Sequence, residues 1–289
     1  MATPALAGTH AFITGGGSGI GLGAARAFVA DGASVTLCGR TESKLADAAA
    51  ELEKLHSGSA RIAVADVADE AALATAMDEA NAHAPLGIVI ANAGVGSAGP
   101  FLGTDLEAWN QVLATNLTGV MSTFKLGGAH LAANGGGTMC AVSSIAGSHT
   151  HRFMTAYTAS KAGVNMIVAN AADELGSLGI RVNAVAPGLV ETEISELLRG
   201  DGAVLEDYGD NMPLGRVGTT ADTGAAIRFL CGPESSWITG VVLPVDGGHH
   251  LRRGPRIDAL LAPFVPDLPA PSASNMPTTG NPSAEGAES

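Results

Sequence analysis

Apolar and polar positions along this chain follow two rhythms. Short runs such as Ala11-Phe12-Ile13, Val35-Thr36-Leu37-Cys38 and Ile88-Val89-Ile90-Ala91 are apolar almost without interruption. Between them lie longer stretches with apolar residues three or four apart, for instance Leu45, Ala48, Ala49, Leu52 and Leu55. Short unbroken apolar runs suit strands covered on both faces, whereas the wider spacing suits helices with one buried side. Strands are therefore expected at 10–13, 34–38, 61–65, 87–91, 137–142, 181–186 and 241–245. Helices are expected from the glycine-rich turn to Ala30, and at 42–56, 69–82, 156–178 and 221–230. Thr104-Asp105-Leu106-Glu107 fits a capping box, opening one more helix that carries Trp109, Leu113, Asn116, Leu117 and Val120. Strands alternating with helices throughout imply an α/β fold, a doubly wound parallel sheet in a single domain.

The residues that follow the strands are distinctive. The first strand runs into Thr14-Gly15-Gly16-Gly17-Ser18-Gly19-Ile20-Gly21 and then into a helix. Glycines in such a turn let backbone approach a pyrophosphate that faces the helix N-terminus. Later strands end at Gly39-Arg40, Asp66-Val67, Asn92-Ala93-Gly94, Ser143-Ser144 and Pro187-Gly188. In an open parallel sheet these ends share one edge, where ligands bind.

Tyr157 and Lys161 head the helix expected at 156–178. Residues four apart on a helix share a face, so the phenol and the ammonium can aim at one point. A phenol titrates near ~10, and bringing it to neutrality needs about 4 kcal/mol. A cation at ~4 Å, at an effective dielectric near ~20, supplies about that much. The pair is therefore suited to proton transfer.

Composition narrows the picture. Hydrophobic residues make up 46% of the 289, with mean hydropathy +0.25, which is ample for a core. A net charge of -13 and a pI near 4.9 argue against a nucleic-acid partner, which needs a basic face. Cys38, Cys140 and Cys231 share no metal-binding spacing and read as buried thiols in a reducing compartment. No apolar stretch is long enough for a membrane span, and a cytoplasmic protein is expected. Residues 1–256 read as the domain, with a glycine-containing, acidic lid at about 189–218. Residues 257–289 read as a C-terminal extension rich in Pro, Ala and Ser, disordered from about 269. Arg252, Arg253 and Arg256 read as subunit-interface or solvated residues rather than substrate-site ones.

The chain resembles the short-chain dehydrogenase/reductase family over roughly residues 6–248. The matching motifs are Thr14-Gly15-x-x-x-Gly19-x-Gly21, Asp66, Asn92-Ala93-Gly94, Asn116, Ser144, Tyr157-x-x-x-Lys161, Pro187-Gly188 with Thr192, and Val245-Asp246-Gly247-Gly248. The resemblance implies a Rossmann-type oxidoreductase that moves hydride between a nicotinamide and a small ketone or secondary alcohol, and a homo-oligomer, tetramer or dimer. It implies Tyr157 as general acid or base and Ser144, rather than Ser143, as the residue orienting the substrate oxygen. Lys161 would lower the phenol pKa and bind the nicotinamide ribose, and Asn116 would hold a water linking Lys161 to solvent. Cofactor contacts would come from Thr14, Gly15, Ser18, Gly19, Ile20, Gly21, Val67, Asn92, Ala93, Gly94, Pro187, Gly188 and Thr192. Asp66 would bond the adenine, though it also reads as a strand end, and Thr192 also reads as a helix cap. His149, His151, Phe153 and Met154 lie between Ser144 and Tyr157; the histidines read as substrate contacts or solvated loop residues, the apolar pair as substrate lining or interface.

Cofactor choice rests on the end of the second strand. An NAD site places Asp or Glu about 20 residues past the glycine turn, to grip the ribose 2′-hydroxyl. Here that place is Gly39, followed by Arg40, with Thr41 and Ser43 adding hydroxyls. A guanidinium suits a 2′-phosphate, so NADP(H) is expected over NAD(H). An NAD-dependent dehydrogenase of a hydroxysteroid or 3-hydroxyacyl thioester, and an inactive dinucleotide-binding regulator, are the alternatives. Residues 270–289 contain too little apolar matter to offset the entropy of ordering them. Deleting them is expected to leave melting temperature and turnover unchanged; a loss of oligomer or activity on gel filtration and assay would refute this.

Overall fold

The computed structural model describes residues 4–254 together with Ile257 and Leu260; the expectations for Arg256 and for the tail lie outside them. In chain order the first half comprises β1 (His10–Thr14), α1 (Gly19–Ala30), β2 (Ser34–Gly39), α2 (Glu42–Leu55), β3 (Ala60–Val64), α3 (Glu70–His83) and β4 (Leu86–Ala91). The second comprises α4 (Leu106–Leu113), α5 (Gly119–Ala133), β5 (Gly137–Val142), α6 (Thr155–Leu175), β6 (Ile180–Pro187), α7 (Glu196–Gly200), α8 (Gly202–Asn211), α9 (Thr220–Cys231) and β7 (Val242–Val245). The strands form one parallel sheet in the order β3-β2-β1-β4-β5-β6-β7. The direction of winding reverses between β1 and β4, which opens a crevice at their carboxyl ends.

The unbroken apolar runs follow from burial on both faces. Phe12, Val89, Met139 and Val182 point into a cluster with α3, α5 and α6, including Met77, Phe124 and Val168. Their strand neighbours Ile13, Ile90, Cys140 and Val185 point the other way, onto α1, α2 and α9 with Phe28, Leu52 and Ile227. Successive side chains on a strand alternate between faces, so two covered faces remove the polar beat.

Several expectations change. The capping box expected at Thr104 is not formed: the Thr104 hydroxyl donates to the Phe101 carbonyl at 2.8 Å. The cap moves to Asp105, whose Oδ1 accepts from the Glu107 N–H at 3.0 Å. A full capping box is found instead at Thr219 and Asp222, opening α9. The helix expected through Asn116 is broken there by a π turn, Ala114–Thr118, between α4 and α5. The Asn116 amide is drawn out of the helix by two bonds to the Val95 backbone, at 2.8 and 2.9 Å. The helix expected at 156–178 ends its α-turns at Leu175. A 3₁₀ turn, Gly176–Leu178, follows, closed by Gly179 at φ +73°.

The stretch expected to act as a lid, 189–218, contains two short helices, α7 and α8. Its base is pinched shut: Glu191 N–H donates to the Gly218 carbonyl at 2.9 Å and Gly218 N–H to the Leu189 carbonyl at 2.9 Å. Leu189, Val204, Tyr208 and Met212 pack with Ile257 into a third apolar cluster. The extension expected from 257 thus sends its first residue back into the body of the molecule.

α1 and α9 cross at Gly23 and Gly224, where a Cβ on Gly224 would run into the Gly23 carbonyl. The crossing is backbone on backbone, with no side chain that could move aside. Gly224→Ala is therefore expected to destabilise the fold by about 1–3 kcal/mol, measured by urea unfolding; an unchanged midpoint would show that the helices separate freely.

Candidate active site

One cleft of about 960 Å³ runs along the carboxyl edge of the sheet, from the end of β2 past the β1/β4 crevice to the lid. It has room for a dinucleotide and a small substrate together.

At its centre, Thr14 and Asn92 tie the ends of β1 and β4. The Thr14 hydroxyl donates to the Ile90 carbonyl and accepts from the N–H groups of Asn92 and Ala93, at 3.0 to 3.2 Å. The Asn92 amide donates to the carbonyls of Thr14 and Gly15, at 2.9 and 3.0 Å. Gly15 adopts φ +64° and Gly19 φ +54°, the left-handed region that favours glycine. A Cβ on Gly21 would run into the Gly15 carbonyl and the Asn92 amide, so helix α1 starts hard against the turn. Ser18 is the N-cap of α1, but its side chain makes no capping bond. The first N–H groups of a helix have no intrahelical partner. Here they face the cleft through Ser18, Gly19 and Ile20, which line it, and the arrangement fits a pyrophosphate. Thr14 and Gly21 stand behind the wall as bracing rather than as lining.

The β2 end carries charge of both signs. Arg40 lies 3.7 Å from Asp66, and both line the cleft, Arg40 exposed and Asp66 half-buried. A second cation, Lys44, lines the same end, paired with Glu193 of the lid at 2.6 Å. Lys44 was not singled out in the sequence; its signal was there, one helical turn beyond Arg40. Val67, Asn92, Ala93, Gly94, Pro187, Gly188 and Thr192 also line the cleft.

The sheet and α6 bring Ser144, Tyr157 and Lys161 to its middle. The two serines divide as their sequence places differ. Ser143 bonds the Asn165 amide oxygen at 2.5 Å and the Lys161 carbonyl at 3.3 Å, and so holds α6 to β5. Ser144 accepts only the Ala146 N–H, at 3.1 Å, among backbone donors, and its hydroxyl faces Tyr157. Lys161 is buried and its ammonium donates to the Val142 carbonyl at 2.8 Å. Burial lowers its pKa to about 8. The ammonium lies 5.7 Å from the centre of the Tyr157 ring.

Two expectations fail here. The phenol of Tyr157 is not lowered in this geometry: burial pushes it above its ordinary value, and the hydrogen bond with Ser144 offsets that only in part. Desolvation of the phenolate outweighs an ammonium already engaged by Val142. Asn116 does not line the cleft, and both N–H groups of its side-chain amide are engaged, by the Val95 carbonyl and by Ser160 Oγ at 3.3 Å. Its amide braces the Val95 segment against α6.

Of the loop residues, His151 and Met154 line the cleft. His149 instead bonds Ser148 at 3.0 Å, and Phe153 packs against the lid cluster. Phe153 holds φ +69°, the single non-glycine residue with positive φ among those described. Tyr208, Ile257 and Leu260 also line the cleft; no motif marked them. Arg253 pairs with Asp207 and Arg252 donates to the Asp210 carbonyl, so these arginines fasten the C-terminal segment to α8.

Among the described residues no helix is long and apolar enough to cross a membrane. A family model described as enoyl-(acyl carrier protein) reductase matches residues 15–250. Galactitol 2-dehydrogenase (L-tagatose-forming) of Cereibacter sphaeroides is 39% identical over 246 residues, 84% of this chain and 96% of that one. A short-chain type dehydrogenase/reductase from Mycobacterium ulcerans superposes with a TM-score of 0.86 at 39% identity, over 89% of this chain and 95% of that one. A gluconate 5-dehydrogenase from Burkholderia cenocepacia J2315, in complex with NADP and tartrate, gives 0.83 at 31% identity, over 86% and 98%. With this parallel sheet, this cleft and these relatives, the chain belongs to the short-chain dehydrogenase/reductase family and is an oxidoreductase of the NAD(P)-dependent kind.

Proposed function

We propose that the protein interconverts a ketone and a secondary alcohol with NADP(H), using Tyr157 as the proton donor and acceptor. The observation that carries this reading is the meeting of Ser144, Tyr157 and Lys161 in the cleft that also holds the glycine turn. The nicotinamide, when bound, supplies or accepts the hydride. α1 would hold its pyrophosphate, Asp66 and Val67 the adenine, and Gly94, Pro187, Gly188 and Thr192 the nicotinamide half.

The rest is the work of the chain's own groups. Ser144, fixed by the Ala146 N–H, donates its hydroxyl hydrogen to the substrate oxygen. Donors aimed at an oxygen that gains charge stabilise the transition state more than the ground state. Tyr157, kept neutral by burial, gives its proton to that oxygen in reduction and must lose it before it can act as base in oxidation. Lys161 stabilises the phenolate as it forms. Asn116 acts as a brace, holding Val95 and Ser160 in place. Exposed apolar residues on α5 and α6, Met121 and Met166, support a homo-oligomer.

NADP(H) over NAD(H) rests on Arg40 and Lys44 at the β2 end, and on Gly39 where an acid would repel a 2′-phosphate. The NADP complex of the Burkholderia relative is in keeping with it.

Tyr157→Phe is expected to abolish turnover while cofactor still binds, and Lys161→Ala to lose both; near-normal turnover in the phenylalanine variant would sink the mechanism. With the phenol raised, oxidation is expected to quicken as pH rises into the alkaline range, while reduction does not, as pH–rate profiles in both directions would read. Arg40→Ala should cost about 2 kcal/mol of NADP affinity and far less of NAD affinity. Fluorescence titration of the wild type with both cofactors decides the assignment: tighter NAD(H) than NADP(H) binding overturns it.

A further inference from the structure

Beyond Ser144 and Tyr157 the substrate end of the cleft is apolar, walled by Met154, Leu189 and Ile257. Two polar tips interrupt it. His151 is buried, and its Nδ1 lies 3.1 Å from the His149 carbonyl. A carbonyl only accepts, so Nδ1 carries the hydrogen and Nε2 is left as a lone pair. Burial lowers the pKa of the ring, the bond to the His149 carbonyl opposes this in part, and the His249 and His149 rings add to the lowering, so the neutral form is favoured. Tyr208, on α8, is buried too, and burial pushes its phenol above the ordinary value, as would a phenolate at Tyr157 and as does the nearby Asp207 carboxylate. Among the described residues neither His151 Nε2 nor the Tyr208 hydroxyl has a hydrogen-bond partner, although both residues line the cleft.

The supports behind these tips are firm. His249 lies between the two rings, its centre 5.5 Å from Tyr208 edge-on and 6.4 Å from His151. Among the described residues its own Nδ1 is buried without a partner. The loop that carries His151 is fixed by the Gly99 N–H, which donates to the carbonyl of Phe153 at 2.7 Å. Phe153 stays in a left-handed conformation that a side chain other than glycine keeps only where surrounding contacts over-determine it.

We propose that His151 and Tyr208 are specificity-determining residues that hold a second hydroxyl group of the substrate. The site thus takes neutral diols and hydroxyketones on a compact apolar body rather than hydroxy acids. A hydroxyl can donate to the His151 lone pair and accept from the Tyr208 phenol, which uses both tips. A carboxylate would meet that lone pair head-on, and among the described residues the cation nearest the reacting centre, Lys161, is held by Val142. Leaving a buried acceptor unpaired is also costly, so a substrate without the second hydroxyl is penalised.

This inference rests on the oxidoreductase reading above. Its test compares cyclohexane-1,2-diol, cyclohexanol and 4-hydroxycyclohexanecarboxylate in the wild type, Tyr208→Phe and His151→Leu. The wild type is expected to favour the diol in kcat/KM by about tenfold over each of the others. That diol-over-cyclohexanol ratio should fall towards unity in Tyr208→Phe, which removes one oxygen and keeps the ring. A ratio unchanged in both variants, or a preference for the carboxylate, overturns it. If none of the three compounds is turned over with either cofactor, the oxidoreductase reading fails by itself. Calorimetric binding with NADP(H) or NAD(H) present then decides the present one. Tighter diol than cyclohexanol binding that is lost in Tyr208→Phe supports it, and equal binding of the two refutes it.

Discussion

The tie between Thr14 and Asn92 is the contact on which the rest of the molecule depends. It closes the point where the sheet reverses its winding, and so fixes how far apart β1 and β4 end. Were the two ends to slip, the helix that starts at Gly19 would no longer face the cleft, and Gly94 would leave the Lys161 ammonium. The hydrogen bonds involved are buried or half-buried and link residues nearly eighty positions apart. Each is modest in net energy, but an unmet amide here would leave polar backbone stranded in an apolar wall.

Lys161 presents the opposite problem, a charge with little solvent. Among the described residues its ammonium has one acceptor, the Val142 carbonyl, and burial brings its pKa to about 8. A cation in that state is poorly satisfied and responds strongly to any oxygen brought beside it. The same burial keeps Tyr157 neutral. Burial thus brings the Lys161 proton towards neutral pH and moves the Tyr157 proton further from it, so the phenol gives up its proton only to a partner brought beside it.

Much of this was legible in the sequence because it is local or periodic. Phe12 and Ile13 announce two covered faces, and every residue just after a strand shares an edge by topology alone. The choice of Ser144 over Ser143 came from the family resemblance, and in the structure Ser143 is bonded to α6 while the Ser144 hydroxyl faces Tyr157. What the sequence hid was non-local. Lys44 meets Glu193 across 149 positions, and no period in the chain relates them. Tyr208 sits in a glycine-containing, acidic stretch that reads as a lid, and Ile257 begins a stretch whose composition suggests a tail. The π turn at Asn116 was hidden as well, because a single amide competing for the Val95 backbone leaves the apolar spacing of the surrounding helix unaltered.

The fastening of the C-terminal segment to α8 has one further consequence. Arg253 and Arg252 grip Asp207 and the Asp210 carbonyl on either side of Tyr208, and these contacts are partly open to solvent. Such charge contacts are screened over a Debye length of about 8 Å at physiological ionic strength and about 3 Å at 1 M. The apolar contacts of Leu189 and Met212 beneath them are not weakened in this way. Added salt thus weakens the outer fastening of the C-terminal segment to α8 while leaving the apolar floor beneath it intact.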